Sequence, residues 1–354
     1  MRLQVLQKCL SKWKYCLQVS AKMTYSSQFR SMSRMVDRVR YMQKLKENEG
    51  ACQSAIKEGY FAIFCNLKPL LTREGILWKS YPDVVRSIAL SYNCDPLKDA
   101  VFVTVDGPGG PPKFAVNIPS PKGFEPKEFE TKVGEDLGGR ASSLRKAMFI
   151  LPEDSVAVLS LAYSMLQWHS KTQFCSCCGK TTVKDVAGYK RSCLSCSEIF
   201  YPTTQPVAIT LVTNGNRCVL ARQPRFPPQM YSALAGYSEP GESLAKTVQR
   251  EVAEEVGLEV DRIHFHDSQH WSLPTSSLML GCYAELMDGS SDEIKIDKAE
   301  LEEARWVSRE ELQALLEDEE ATTRVPGLVG GPNIYIPPVQ AIGNHLITSW
   351  ALQK

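Results

Sequence analysis

The sequence predicts an α+β protein of two or three domains, and three observations carry that prediction. Short β-rich runs bounded by Gly, Pro and Asn recur along most of the 354 residues. A few longer stretches repeat their apolar residues at helical spacing. Apolar residues make up 43% of the chain, enough for each domain to bury its own core. Lys plus Arg number 41 against 40 for Asp plus Glu, so no global field draws the chain to nucleic acid or anionic lipid. Any charge that matters is therefore local. No apolar run approaches the roughly eighteen residues of a membrane-spanning helix, so the chain reads as a soluble protein with no membrane partner.

The first 36 residues carry Arg2, Lys8, Lys12, Lys14, Lys22, Arg30 and Arg34 with no acid, and six serines are interspersed. That is the composition of an organelle transit peptide, and the expected location is the mitochondrion. A merely basic, disordered leader is the alternative. FAIFCNLKPLL (61–71) and VFVTV (101–105) read as strands, DGPGGPPK (106–113) as a turn, and KFAVNI (113–118) as a returning strand, giving a mainly β N-terminal domain. DSVAVLSLAYSMLQW, from Asp154, places Val158, Leu161, Ala162, Met165 and Leu166 on one helical face. PVAITLVTNGNRCVLARQ holds two β-rich runs around Asn214, Gly215 and Asn216, a hairpin signal. LMLGCYAEL (278–286) and EIKID (293–297) extend the set of strands. Ile342, Leu346 and Trp350, four residues apart, close the chain with a helix. No internal repeat is visible.

The chain has 12 cysteines and no secretory signal, so thiols or metal ligands are expected rather than disulfides. Cys175 and Cys178, then Cys193 and Cys196, form two C-x2-C knuckles. Such pairs approach a tetrahedral zinc ion from tight turns, and four thiolates close its shell, which makes the zinc structural. Cys177 is a bystander within the first knuckle, and redox sensing is the lesser reading.

REVAEEVGL (250–258) crowds Glu251, Glu254 and Glu255 into five residues. On a helix over Leu244–Val256 these carboxylates fall within about 100° of one another, beside a stripe of Val248, Val252 and Val256. Gly257 ends the helix, and Arg250 reaches Glu254 one turn on. Like charges this close cost about 4 kcal/mol per pair at a surface dielectric. A hard divalent cation, Mg2+ or Mn2+, turns that repulsion into attraction and favours phosphate oxygens as further ligands. A solvated acidic face is the bland alternative for an isolated ExxEE.

The full spacing is more specific. Gly236, five residues, Glu242, seven residues, Arg250, Glu251, Val252, one residue, Glu254, Glu255, one residue, Gly257 and Leu258 match every position of the Nudix box. A chance match is on the order of one in ten million at average residue usage. The chain thus resembles the Nudix hydrolases. SQHWSLPTSS (268–277) is similar to the array that marks their NADH pyrophosphatase branch, with His270, Ser272 and Leu273 departing from it. The likeness also takes in Trp168 and His169, the cysteine knuckles, Tyr201 with Pro202, Glu300 to Trp306 and the PPVQAI start of the last helix, with Thr203 where this branch usually has arginine.

The resemblance implies a Nudix α/β/α sandwich with a zinc ribbon. Its domains would be a leader over 1–45, a Nudix-like β-rich domain over 50–165, a zinc ribbon over 166–204 and the hydrolase domain over 205–354. It implies Mg2+ or Mn2+ ligands at Glu251, Glu255, Glu300 and the carbonyl of Ala235, with Glu254 assisting, Arg250 in the catalytic group, and Glu254 or Glu255 as base. Tyr201, Gln269, His270, Trp271, Ser272, Leu273, Pro274, Thr275, Ser276 and Ala341 would line a dinucleotide pocket. For Tyr201 and Trp271 the alternative is core packing, and Ser268 and Ser276 can serve as turn residues. The implied reaction is hydrolysis of the pyrophosphate bond of NAD(P)H, giving reduced nicotinamide mononucleotide and AMP, or 2′,5′-ADP from NADPH, by a homodimer. Removal of NAD caps from RNA is a rival that the absence of a basic stripe disfavours. A catalytically dead, nucleotide-binding zinc-ribbon module is the other.

Overall fold

The computed structural model describes residues 25–92, 94–107, 109–317, 329–330 and 334–353. They form two compact units. Of the stretch read as a leader, residues 1–24 lie outside the described residues, and the helix α1 (Tyr25–Glu47) occupies the remainder.

The first unit comprises residues up to 72, 76–140 and 169–200. Asn48 caps α2 (Glu49–Glu58) by accepting from Ala51 N–H. The run read as one strand, 61–71, is a hairpin of β1 (Tyr60–Cys65) and β2 (Lys68–Leu71). Asn66 and Leu67 turn the chain with φ of 50° and 62°, a left-handed pair that the residue types barely advertise. After β3 (Trp78–Ser80), β4 (Val101–Val105) and β5 (Pro112–Ile118), helix α3 (Pro126–Leu137) precedes β6 (Arg140–Ala141). The sheet order is β4-β5-β1-β2-β6, with β3 also paired to β1, and β1 runs parallel to β5. A three-stranded ribbon of β7 (Thr182–Lys184), β8 (Arg191–Cys193) and β9 (Ile199–Phe200) completes this unit.

The second unit contains most of α4 (Glu153–Lys171) and all residues from Tyr201 on. Its strands are β10 (Gln205–Asn214), β11 (Arg217–Arg222), β12 (Leu234–Tyr237), β13 (Val260–Trp271), β14 (Ser277–Leu286) and β15 (Glu303–Ser308), with α5 (Leu244–Val256) between β12 and β13. Helices α6 (Arg309–Glu317) and α7 (Ile342–Leu352) follow. The hairpin at Asn214–Asn216 forms as expected, with Gly215 at φ 58°. Strand β10 is buried on both faces, so its side chains alternate between two cores. Ile209 and Leu211 join Leu346, Ile347 and Trp350 of α7. Ala208 and Val212 meet Val248, Val252 and Val256 of α5. Each buried valine contributes about 1.5 kcal/mol or more, and the result is a helix–sheet–helix sandwich.

The order here is β13-β14-β10-β11-β15, with β12 also paired to β10, and β10 runs parallel to β14. Strand for strand, this repeats the first unit. The sequence shows no repeat because the two sheets share strand order and pairing rather than residues. In the first unit the helical segment that follows β3 begins Tyr81–Val84 and carries one acid, Asp83, in place of the glutamates of α5. The stretch EIKID forms no strand, because its N–H groups turn to a helix end instead.

Candidate active site

Helix α5 starts where Ser243 accepts from Lys246 N–H and stops at Gly257, left-handed at φ 68° and ψ 24°. Its valine stripe fixes its rotation on the sheet, which turns Glu254 to solvent, leaves Glu251 half-buried and buries Glu255. Gly236 of β12 lies beneath Glu251. A Cβ there would stand 1.8–2.1 Å from the Glu251 carboxylate, so only glycine lets strand and side chain approach this closely.

Arg250 organises the cluster. Its Nε and Nη2 donate to the two oxygens of Glu242 at 2.7 and 2.9 Å. Nη1 donates to Glu251 Oε1 at 2.9 Å and to Glu254 Oε2 at 2.8 Å, and Nη2 also reaches the Tyr237 carbonyl at 2.8 Å. The sequence led us to expect a link to Glu254 alone. The guanidinium in fact offsets three carboxylates, and its planar fork is why arginine rather than lysine suits the position. Bonding to Arg250 holds the Glu242 carboxyl down to about 2. Burial pushes Glu251 up despite Arg250 beside it.

Glu255 is different. It is 2% exposed and makes no ion pair with Arg250. The main-chain N–H of Ala235 donates to its carboxyl, while Oε2 has no hydrogen-bond partner. Burial, with Glu251 and Glu300 nearby, pushes Glu255 up to about 8. Ala235, the residue expected to offer its carbonyl, thus lies against Glu255. A buried carboxylate with an orphan oxygen beside two further acids is what a hard cation would complete.

The SQHWSLPTSS residues form the end of β13, a turn with a cis Leu273–Pro274 bond, and the start of β14. Both ends of Gln269 are engaged within the chain: Nε2 donates to the Gln340 carbonyl at 2.7 Å and Oε1 accepts from Ile342 N–H at 2.9 Å. This brings Gln269 against Ala341, the N-cap position of α7. His270 Nε2 is 3.0 Å from Ser276 Oγ, and burial lowers its pKa. Ser272 is fully buried and donates to the Ser160 carbonyl, so it shapes the turn from inside. Trp271 and Leu273 are half-buried and Pro274 is exposed, its carbonyl accepting from Gln167. Tyr201 is 61% exposed, which rules out the core-packing reading for it.

Two contributors went unremarked as site residues. Glu242, within the motif, is Arg250's main partner. Tyr237 joins the clusters, its carbonyl on Arg250 and its hydroxyl 3.4 Å from Thr275 Oγ1. Nothing in the sequence marks Tyr237 beyond its place after Gly236.

In the ribbon, Cys175 and Cys193 head equivalent turns. Cys175 N–H donates to the Lys180 carbonyl at 2.7 Å, and Cys193 N–H to Glu198 at 2.8 Å. Gly179 and Ser197 take positive φ at matching places, 71° and 62°. The sulfurs of Cys175, Cys178, Cys193 and Cys196 lie within 4.8 Å of one another, with pairs at 3.6 and 3.5 Å. Tetrahedral zinc with Zn–S of about 2.3 Å needs sulfurs about 3.8 Å apart, so the four fit it. Backbone N–H groups of Cys196 and Ser195 hold Cys193 down to about 6. Cys177 stays exposed and outside the group. Among the described residues this is the one set of three or more His, Cys, Asp or Glu side chains drawn so close.

A helix–sheet–helix sandwich that carries a glutamate cluster, in a chain that also holds a four-cysteine ribbon, is the make-up of a metal-dependent hydrolase. Residues 203–325 match the NUDIX domain, and residues 170–201 match the NADH pyrophosphatase zinc ribbon domain. The chain belongs to the Nudix hydrolases, enzymes that use Mg2+ or Mn2+. It is 38% identical over 338 residues to the mouse "NAD(P)H pyrophosphatase NUDT13, mitochondrial", covering 91% of this chain and 92% of that one. The human protein of the same name is equally similar, 38% over 338 residues. The human "NAD-capped RNA hydrolase NUDT12" is 39% identical over 214 residues, 58% of this chain and 43% of that one. Among the described residues no helix is long and apolar enough to cross a membrane.

Proposed function

We propose that this chain hydrolyses the pyrophosphate bond of NAD(P)H, releasing reduced nicotinamide mononucleotide and AMP, or 2′,5′-ADP from NADPH. The observation that carries the reading is Glu255, buried with an orphan Oε2 among Glu251, Glu254 and Glu300. Its partner is a near full-length likeness to two proteins named for this activity. Glu251, Glu255 and Glu300 would hold Mg2+ or Mn2+, which when bound neutralises the diphosphate and makes water a better nucleophile. Arg250 orients Glu251 and Glu254 through direct hydrogen bonds. Glu254, 58% exposed, would take the proton of the attacking water on its carboxylate, with Glu255 the alternative base.

The β13–β14 turn and Ala341 would frame the dinucleotide. His270 presents a neutral imidazole there, and Gln269 supports the wall from behind rather than meeting the ligand with its amide. The leader composition and the names of the two relatives favour a mitochondrial location. A homodimer is our further expectation, to be read by light scattering.

A panel of NADH, NADPH, NAD, ADP-ribose and diadenosine compounds with Mg2+ and Mn2+, products separated by chromatography, tests the reading. Preferential release of reduced nicotinamide mononucleotide supports it. Absence of metal-dependent cleavage across the panel would overturn it in favour of a binding module. NAD-capped RNA is the second reading, favoured by the relative named for that substrate. Steeply salt-sensitive cleavage of capped RNA would raise it over the first.

A further inference from the structure

A helix leaves its last carbonyls without partners, and the acidic loop between β14 and β15 serves two of those at the end of α5. Lys295 N–H donates to the Val256 carbonyl at 2.8 Å, and Asp297 N–H donates to the Glu255 carbonyl at 3.0 Å. Asp297 then closes a turn on itself. Its carbonyl accepts from Glu300 N–H at 3.1 Å and from Leu301 N–H at 2.9 Å. Its Oδ1 accepts from Ala299 N–H at 2.8 Å. The turn is pinned on both sides: Ile294 and Ile296 pack against the core that contains Val252 and Val256, and Leu301 lies inside it. Glu300, exposed at the end of this turn, acts electrostatically on both Glu251 and Glu255.

We propose that Asp297 is the positioning residue of the glutamate site, holding Glu300 toward Glu251 and Glu255 through its N–H, its C=O and its Oδ1. This rests on reading those glutamates as divalent-ion ligands. The side chain contributes an Asx turn, which needs an acceptor oxygen and no charge. Asparagine should therefore replace it and alanine should not. A residue acting through Glu300 should also lose its effect once Glu300 is gone.

The test is Mn2+ binding to the full chain without substrate, read by the electron paramagnetic resonance of free Mn2+. Asp297→Ala should weaken binding about fivefold, the worth of one ordinary hydrogen bond, and Asp297→Asn should keep it. Glu300→Gln should weaken it about tenfold, and Asp297→Ala added to Glu300→Gln should weaken it no further. Weak binding in Glu300→Gln beside unchanged binding in Asp297→Ala would overturn the inference alone. Unchanged binding in Glu300→Gln would remove Glu300 from the metal site and the inference with it. An asparagine variant as poor as alanine would make Asp297 a ligand through its charge, contrary to a positioning role. Thermal melts of each variant verify that the exposed loop change leaves the fold intact.

Discussion

Arg250 and Glu255 divide the electrostatics of the site between them. Arg250 makes five hydrogen bonds, to Glu242, Glu251, Glu254 and the Tyr237 carbonyl. A lysine at this position offers one compact charge and cannot span that fork. Arg250→Lys should therefore lower kcat about 10–100-fold with a smaller change in KM, because it misplaces ligands rather than removing substrate contacts. Steady-state kinetics on NADH decides this, and an unchanged kcat would assign the guanidinium to stability alone. Glu255 has no such cation beside it. Glu255→Gln keeps the shape and the neutral state that burial already favours. Turnover should fall by several orders of magnitude while the circular dichroism spectrum is retained. Turnover within tenfold of the parent would take Glu255 out of the mechanism.

Helix α5 was legible because two local signals agree, a valine stripe at every fourth residue and a glycine stop, and the structure adds the Ser243 cap. The β1–β2 turn was not, since Asn66–Leu67 lacks the glycine that usually announces positive φ. EIKID misled for another reason. Its alternating β-branched residues look strand-like, while Lys295 and Asp297 give their N–H groups to the end of α5, a long-range choice invisible locally. The spacing of Gly236 and Glu251 was visible, but its purpose was not. Gly236→Ala should displace Glu251 and lower kcat at least tenfold with α5 still formed, as turnover and far-ultraviolet dichroism would show together. Retained turnover would mean that the strand yields instead. The ribbon's spacing disclosed its four ligands fully. Stripping zinc should release about one equivalent per chain and expose the β7–β8 amides to hydrogen exchange. Protection that survives removal would make the metal dispensable to that element.

At the scale of the whole molecule, two sheets of the same strand order share one chain, and only the second carries the glutamates. Among the described residues two carboxyls are buried, Glu130, which pairs with Lys68, and Glu255, which has no such partner and so has a large influence on how stability responds to pH. Glu255 rises from an ordinary 4.5 to about 8 on folding. A raised carboxyl pKa gives stability that is fully present below the unfolded value and lost as pH climbs through the folded one. Metal-free protein should lose several kcal/mol between about pH 5 and 8. A divalent ion needs the ionised carboxylate, so in this window binding displaces a proton and weakens about tenfold per unit fall in pH. Because the ion favours the folded chain, its stabilisation follows that affinity. The two effects oppose each other. Without metal, Tm should fall from about pH 5.5 to about pH 8.5, and the rise in Tm on adding Mn2+ should grow over the same range. Glu255→Gln should flatten both. Differential scanning calorimetry on the full chain measures each, and a Mn2+ shift of equal size and pH dependence in that variant would place the ion elsewhere.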